Sequence, residues 1–255
     1  MLRRDDPPPV IVVNPRGSSA LLLLGDHAGR EIPAALGDLG LPPEAMQRHI
    51  AWDIGVAALG ERLAWALDAA FIRQTYSRLV IDCNRRPDDP TSVPAISDGH
   101  AIPGNTGLSE AALAARRDEI FAPYHAVIAR VLDRREEDGR PTLFVSMHSF
   151  TPVFQGFVRP WRYGVLHRGD SPFSDRVLAA LRARLGDEAG DNQPYAMDGT
   201  DNTVPLHVDA RGHDYLELEV RQDLVADTEG QEAAAAFIAE VLAEAKAALG
   251  DGRPA

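Results

Sequence analysis

Thr142-Leu143-Phe144-Val145-Ser146-Met147-His148-Ser149-Phe150 is an apolar run that stops on an imidazole. It follows a break at Gly139 and Pro141, and a short apolar run after such a break reads as a buried strand. His148 is thereby delivered to the strand's C-terminal end, where open α/β sheets place their ligands. The pattern recurs. Leu21-Leu22-Leu23-Leu24-Gly25-Asp26-His27 is a second apolar strand ending on a histidine. Tyr215-Leu216-Glu217-Leu218-Glu219-Val220-Arg221 is a third, with acids where a buried strand should be apolar. Two histidines and a carboxylate at the ends of separate strands point to a metal-assisted hydrolase.

The rest of the chain alternates between strand-like and helix-like segments. Pro42-Pro43-Glu44 opens a short helix, and Ile54, Leu59, Leu63 and Leu67 recur at helical spacing behind Asp53, which stands where an N-terminal cap or first-turn acid belongs. Ala70 to Tyr76 and Leu79 to Cys83 are short β-prone runs. Ser109 with Glu110 starts a long helix that Pro123 should kink or split. Phe150 to Trp161 reads as a polar and aromatic loop, Tyr163 to Leu166 as a strand, and Ser171 to Leu185 and Glu229 to Leu249 as helices. Such alternation predicts a three-layer αβα sandwich around a central mixed, mostly parallel sheet.

Composition sets the outer bounds. With 45% hydrophobic and 25% charged residues, the 255-residue chain reads as one soluble globular domain over residues 1–255, residues 1–17 forming a loose extension. A formal net charge of −12 argues against nucleic acid or an anionic membrane as partner and leaves small anionic substrates open. The proline-rich N-terminus has no apolar core behind its arginines, so a cytoplasmic location is expected. The single cysteine, Cys83, excludes an internal disulfide and a cysteine zinc cage, and as a nucleophile it has no histidine beside it in sequence.

Among the remaining polar residues, Glu217 and Glu219 share a face of a regular strand. Two buried carboxylates are costly, so one is expected to pair with an arginine while the other faces the site. Arg78, Asn84 and Arg85 cluster around the Leu79–Cys83 run and suit a carboxylate anchor, or else a loop salt-bridged to Asp82, Asp88 and Asp89. Arg159 and Arg221 could serve similarly. His207 and His213, just before the acidic strand, could contact substrate or support a ligand, whereas His49, His100, His125 and His167 read as surface or capping residues.

Read in order, Asp26-His27-Ala28-Gly29, His49-Ile50-Ala51-Trp52-Asp53-Ile54-Gly55, Ser77-Arg78-Leu79-Val80-Ile81-Asp82-Cys83-Asn84-Arg85, His148-Ser149-Phe150-Thr151-Pro152, Arg159-Pro160-Trp161, Gly190-Asp191-Asn192 with Pro194-Tyr195, and Glu219-Val220-Arg221-Gln222-Asp223-Leu224 resemble the N-formylglutamate amidohydrolase family. The resemblance runs from about Leu21 to Leu224. It implies a fold similar to the zinc-dependent exopeptidases, Zn2+ or another divalent metal as cofactor, and hydrolysis of an N-acyl amino acid, N-formyl-L-glutamate above all. Other N-acyl amino acids, a small peptide, a cell-wall amide or a non-catalytic carboxylate-binding role are the alternatives. By the same resemblance, His27 and His148 are metal ligands and Glu219 is the catalytic acid-base; Arg159 or Arg221 is expected, on charge alone, to steady the oxyanion. Arg78, Asn84 and Arg85 hold substrate carboxylate, with His207 a further substrate contact. The exopeptidase pattern His-x-x-Glu is not kept, since position 30 is Arg30 and the nearest acid is Glu31. Asp53 resembles the ligand that zinc amidases carry at the head of the next helix, and it is preferred over Glu31 as third ligand.

Overall fold

The computed structural model describes residues 1–250. In chain order its elements are β1 (Val10–Val13), β2 (Leu21–Gly25), α1 (Val56–Ala66), β3 (Ala70–Gln74), the short pair β4 (Ile96–Ser97) and β5 (His100–Ala101), α2 (Glu110–Arg116) and α3 (Ala122–Glu137). There follow β6 (Leu143–Phe150), the hairpin β7 (Val153–Phe154) and β8 (Phe157–Val158), β9 (Tyr163–Leu166), α4 (Pro172–Leu185), β10 (Ala189–Asp191), α5 (Thr203–Val208), β11 (Asp214–Arg221) and α6 (Thr228–Gly250).

The main sheet has seven strands in the order β1-β3-β2-β6-β11-β9-β10. Its middle, β3, β2, β6 and β11, is parallel. β1 pairs antiparallel with β3, β9 antiparallel with β11, and β10 parallel with β9. Alternation along β2 explains its run of leucines: Leu21 and Leu23 pack into one core with α1, α4 and α6, while Leu22 and Leu24 pack into the other with α3 and α5. All four are fully buried, each contributing about 2 kcal/mol relative to exposure. Helices therefore cover both faces, and the architecture is the three-layer αβα sandwich with a mixed, mostly parallel sheet. No helix among the described residues is long and apolar enough to cross a membrane.

Four local readings are corrected. Residues 1–17 are not a loose extension: β1 forms the sheet edge, the N-terminal ammonium lies 2.6 Å from Glu119 Oε1, and Tyr76 donates its hydroxyl to the Pro7 carbonyl at 2.6 Å. Leu79 to Cys83 is buried but is not a strand, because β1 already occupies the edge beside β3. Side chains replace the missing ladder, Arg116 donating to the Val80 carbonyl at 2.9 Å and Asn105 to that of Leu79 at 2.8 Å. Phe150 to Trp161 is not all loop, since β6 runs to Phe150 and the β7–β8 hairpin follows.

The fourth concerns α1, which starts at Val56 rather than at Asp53. Gly55 precedes it with φ +83°, where a Cβ would lie 2.3 Å from the Val225 carbonyl oxygen. Asp53 is thus in the loop before the helix and its carboxylate does not cap it. Elsewhere the local chemistry acts as expected. Ser109 and Ser171 cap α2 and α4. Near Pro123, which has no N–H to donate, one π-type turn over Arg117–Phe121 separates α2 from α3.

Candidate metal centre and substrate cavity

Strand alternation builds the site. Phe144, Ser146 and His148 share one face of β6, and Tyr215, Glu217 and Glu219 share the same face of the sheet on β11, with Glu217 opposite Ser146 and Glu219 opposite His148. Phe144 and Tyr215 pack into the core at the N-terminal ends of these strands. Toward the C-terminal ends that face turns polar and lines a cavity of about 280 Å³.

His27 follows β2 directly, and the Asp53 N–H donates to the His27 carbonyl at 2.8 Å, which draws the loop before α1 onto the strand end. One donor atom each from His27, Asp53 and His148 lies within 4.8 Å of the others, and all three residues are buried. Asp53 Oδ2 is 3.0 Å from His148 Nδ1 and 3.6 Å from His27 Nδ1. It also accepts from the Ser149 N–H at 3.2 Å.

Both imidazoles are braced from behind. His27 Nε2 lies 2.7 Å from Asp82 Oδ1, and Arg78 donates to the other Asp82 oxygen at 2.7 Å. His148 Nε2 lies 3.1 Å from Ser146 Oγ, which donates to Asp26 Oδ2 at 3.2 Å. These contacts engage Nε2 of each ring on the outside and turn Nδ1 toward Asp53, so Nδ1 is the nitrogen that gives up any proton when a cation binds. The buried Nδ1 of His27 has no hydrogen-bond partner. Two inward Nδ1 atoms and a carboxylate, each supported from outside, suit a divalent cation such as zinc.

Electrostatics agree with this geometry. Burial opposes charge on His148, but its hydrogen bond to Asp53 and the charges of Asp53, Glu217 and Glu219 outweigh that and hold its pKa up at about 10. His27 is raised in the same way, burial and Arg78 being overcome by Asp82 and Asp53. Burial would raise Asp53, yet the histidines hold it below the usual carboxylate range. A field that favours protons on both rings also favours a cation between them.

Glu217 and Glu219 line the same cavity, and neither pairs with an arginine, contrary to the sequence expectation. Oε1 of Glu217 and Oε2 of Glu219 lack partners. Burial, opposed by His148, lifts their pKa values to about 8 and about 7. Burial thus pushes both carboxyls toward the neutral form, and the cation that opposes it is His148 rather than an arginine.

Arg78, Asn84 and Arg85 also line the cavity, and both arginines are charge-compensated. Arg78 lies between Asp82 and Asp53, at 2.7 and 3.6 Å, and Arg85 is 3.3 Å from Asp201. Asp88 and Asp89, the other expected partners, are not at these guanidinium groups: Asp88 faces Arg86, and Asp89 caps the turn at Pro90–Ser92.

Three expected site residues stand elsewhere. The buried Arg159 guanidinium lies over Phe150, Phe154 and Tyr195 and donates to Thr151 and the Tyr195 hydroxyl, so it does not line the cavity itself but backs three residues that do, Phe150, Thr151 and Tyr195. Arg221 folds back onto Asp223 at 2.8 Å. His207 is on α5 and buried against α3, with Nε2 2.9 Å from His125 Nδ1, and burial pushes its pKa down to about 3. Glu31 is exposed and bridges to Tyr76, apart from the cavity. The Cys83 thiol is buried and its pKa is pushed well up by desolvation, which removes it as a nucleophile.

The sequence reading missed Asp26 and Asp82 as braces, and His49, Tyr195 and Asp201 as cavity wall. For Asp26 and Asp82 the signal was adjacency to His27 and to Asn84. Asp201 meets Asn84 across 117 residues and has no local signal.

The sequence model of the N-formylglutamate amidohydrolase family matches residues 19–226. The solved structure of gene product Atu2144 from Agrobacterium tumefaciens superposes with a TM-score of 0.93 at 34% identity, covering 97% of this chain and 98% of that one. N-formylglutamate amidohydrolase from Ralstonia eutropha JMP134 superposes with a TM-score of 0.67 at 19% identity, covering 92% and 95%, a likeness of fold. No curated protein matches the chain.

Proposed function

This chain belongs to the N-formylglutamate amidohydrolase family, and from that premise we propose that it is a metal-dependent hydrolase of N-acyl amino acids, with N-formyl-L-glutamate as substrate. One observation carries the reading: the buried His27, Asp53 and His148 group and the unpartnered Glu219 line the same cavity as Arg78 and Arg85.

His27 and His148 through Nδ1, and Asp53 through Oδ2, would hold Zn2+ or another divalent metal. When bound, the ion supplies Lewis-acid polarisation of the amide carbonyl and lowers the pKa of the attacking water. Glu219 takes a proton from that water at its free oxygen and returns it to the leaving nitrogen as the C–N bond breaks. The water oxygen leaves with the acyl group as formate, and the amine leaves as glutamate. Arg85 and Arg78 orient the substrate through its carboxylates, and the chain's contribution there is to hold the amide against Glu219. Asn84 spends its carbonyl oxygen on the Asn202 and Thr203 N–H groups, at 3.1 and 2.9 Å, so it shapes the cavity wall more than it grips substrate.

Purified protein, stripped of metal and then reloaded with zinc, is assayed on a panel of N-formyl, N-acetyl and dipeptide substrates of glutamate, glutamine and alanine. Metal-restored release of formate from N-formyl-L-glutamate is the expected result. Full activity without metal, or no turnover of any amide, overturns the reading, the second result pointing to a binding protein.

A further inference from the structure

The cavity's anion-binding end already holds a carboxylate. Asp201 Oδ1 lies 3.3 Å from Arg85 and 3.2 Å from Asn84 Nδ2. Arg85 is the donor assigned above to the substrate. The contact is built rather than incidental. Asp201 Oδ2 accepts from the Asp198 N–H at 3.0 Å, and Asn84 clamps the next two residues through their N–H groups. Thr203 then donates to Asp26 at 3.0 Å, tying the segment to the brace behind His148. Asp198 lines the cavity as well, but its Oδ1 accepts from the Thr200 N–H and hydroxyl, which leaves Asp201 as the carboxylate paired with Arg85.

We propose that Asp201 is a specificity-determining residue: its carboxylate competes with that of the substrate for Arg85, and so sets how far the site favours a second substrate carboxylate over a neutral amide of the same shape. The inference rests on the amidohydrolase reading above, because it takes the amino-acid part of the substrate to lie at Arg85. An entering carboxylate either displaces Asp201, losing one charge-assisted hydrogen bond, or lies beside it against like-charge repulsion. A neutral side-chain amide avoids the repulsion, since its oxygen accepts from Arg85 while its NH2 donates to Asp201. Selectivity is thereby set by a repulsive element as well as an attractive one.

Calorimetric titration of the zinc-loaded protein with L-glutamate and with L-glutamine tests this, because the two ligands share a shape and differ in the second carboxylate. Asp201→Asn should bind glutamate about 10-fold more tightly than the parent, while glutamine binding changes by less than about twofold. The gain should shrink when the same substitution is made on Arg85→Lys, which a merely structural effect of Asp201 would not produce. Asp201→Ser also removes the charge and keeps an oxygen for the Asp198 N–H, and it reads the same difference should the amide variant not fold. Unchanged or weaker glutamate binding, or an equal gain for both ligands, overturns the inference. Turnover of N-formyl-L-glutamate with no shift between the two ligands sinks this inference alone. A shift without turnover of any N-acyl amino acid sinks the amidohydrolase reading and leaves Asp201 as assigned.

Discussion

His27 and Asp82 meet at 2.7 Å through Nε2 and Oδ1, and this contact fixes which nitrogen of His27 faces the cavity. With its hydrogen on Nε2, the ring presents a lone pair at Nδ1, the buried atom left without a partner. Arg78 on the second Asp82 oxygen keeps that carboxylate ionised, its pKa well below the usual range despite burial. Asp82→Asn should therefore lower zinc affinity by roughly 10-fold or more while leaving all three ligand side chains in place. Competition with a chelator of known affinity measures it, and an unchanged affinity would show that the ring orientation is held by other contacts.

The third ligand can be tested by contrast. Asp53 sits between the two imidazoles, whereas Glu31 is exposed beside Tyr76. Asp53→Ala should lose metal, with affinity lowered by at least about 10-fold, and Glu31→Ala should retain both metal and activity. Metal content of the dialysed variants decides between them, and the opposite pattern overturns the ligand set.

The sheet was legible because its strands are buried on both faces. Leu21–Leu24 and Thr142–Met147 have no amphipathic reading other than a two-sided strand, and the strand-end histidines follow from it. Glu217 and Glu219 were legible as an anomaly, but the absence of an arginine partner was not, because burial that raises a carboxyl's pKa leaves no sequence mark. Asp53 was picked out by its resemblance to a ligand at the head of a helix, but its reading as a cap does not hold, since its carboxylate accepts from the Ser149 N–H and lies 3.0 Å from His148 Nδ1 on a strand far away in sequence. The Leu79–Cys83 run had strand composition and lacked an open edge, which only the pairing of β1 reveals.

Two buried histidines away from the cavity give a pH dependence of stability. His125 Nε2 faces the Cys83 carbonyl at 3.0 Å, so it carries the hydrogen, and His125 Nδ1 accepts from His207 Nε2. Both rings are neutral in the fold. Burial, with His125 beside it, pushes the His207 pKa down to about 3, and burial lowers His125 as well. An unfolded histidine titrates near about 6.5, so below that pH the unfolded chain binds protons that the fold refuses. The His207 contribution is complete above about pH 6.5 and is lost as pH falls toward 3, by up to about 1.4 kcal/mol per pH unit, and His125 adds to the loss in the same direction. His207→Gln should flatten the fall in urea midpoint between pH 6.5 and 4.5 relative to the parent. An equal slope in both proteins would remove His207 as a contributor.

Arg85→Lys asks whether the planar fork matters. Lysine keeps the charge but cannot present two parallel N–H groups to a carboxylate. KM for N-formyl-L-glutamate should rise by roughly 10-fold or more with zinc content unchanged. Unaltered kinetics on every carboxylate substrate would leave Arg85 as no more than the partner of Asp201.

Glu219 and Glu217 divide on position. Glu219 lies directly opposite His148 in the β6–β11 register, while Glu217 lies one step deeper, opposite Ser146. The group level with the ligand is the one placed to hand a proton between water and leaving nitrogen, and burial raises its pKa to about 7 before any cation is bound. Glu219→Gln should retain zinc and cut kcat by roughly 100-fold or more, since glutamine has the shape but cannot take the proton. In the parent, kcat/KM should fall as pH drops through the Glu219 pKa, because the base must be ionised in the free enzyme. A bound cation beside the carboxylate lowers that pKa, so the limb belongs at or below about pH 7 and shifts upward in any variant with weakened metal binding. Glu217→Gln should leave the limb in place. Loss of turnover in Glu217→Gln with a harmless Glu219→Gln would move the proton transfer to the deeper carboxylate, and with it the expected position of the scissile bond.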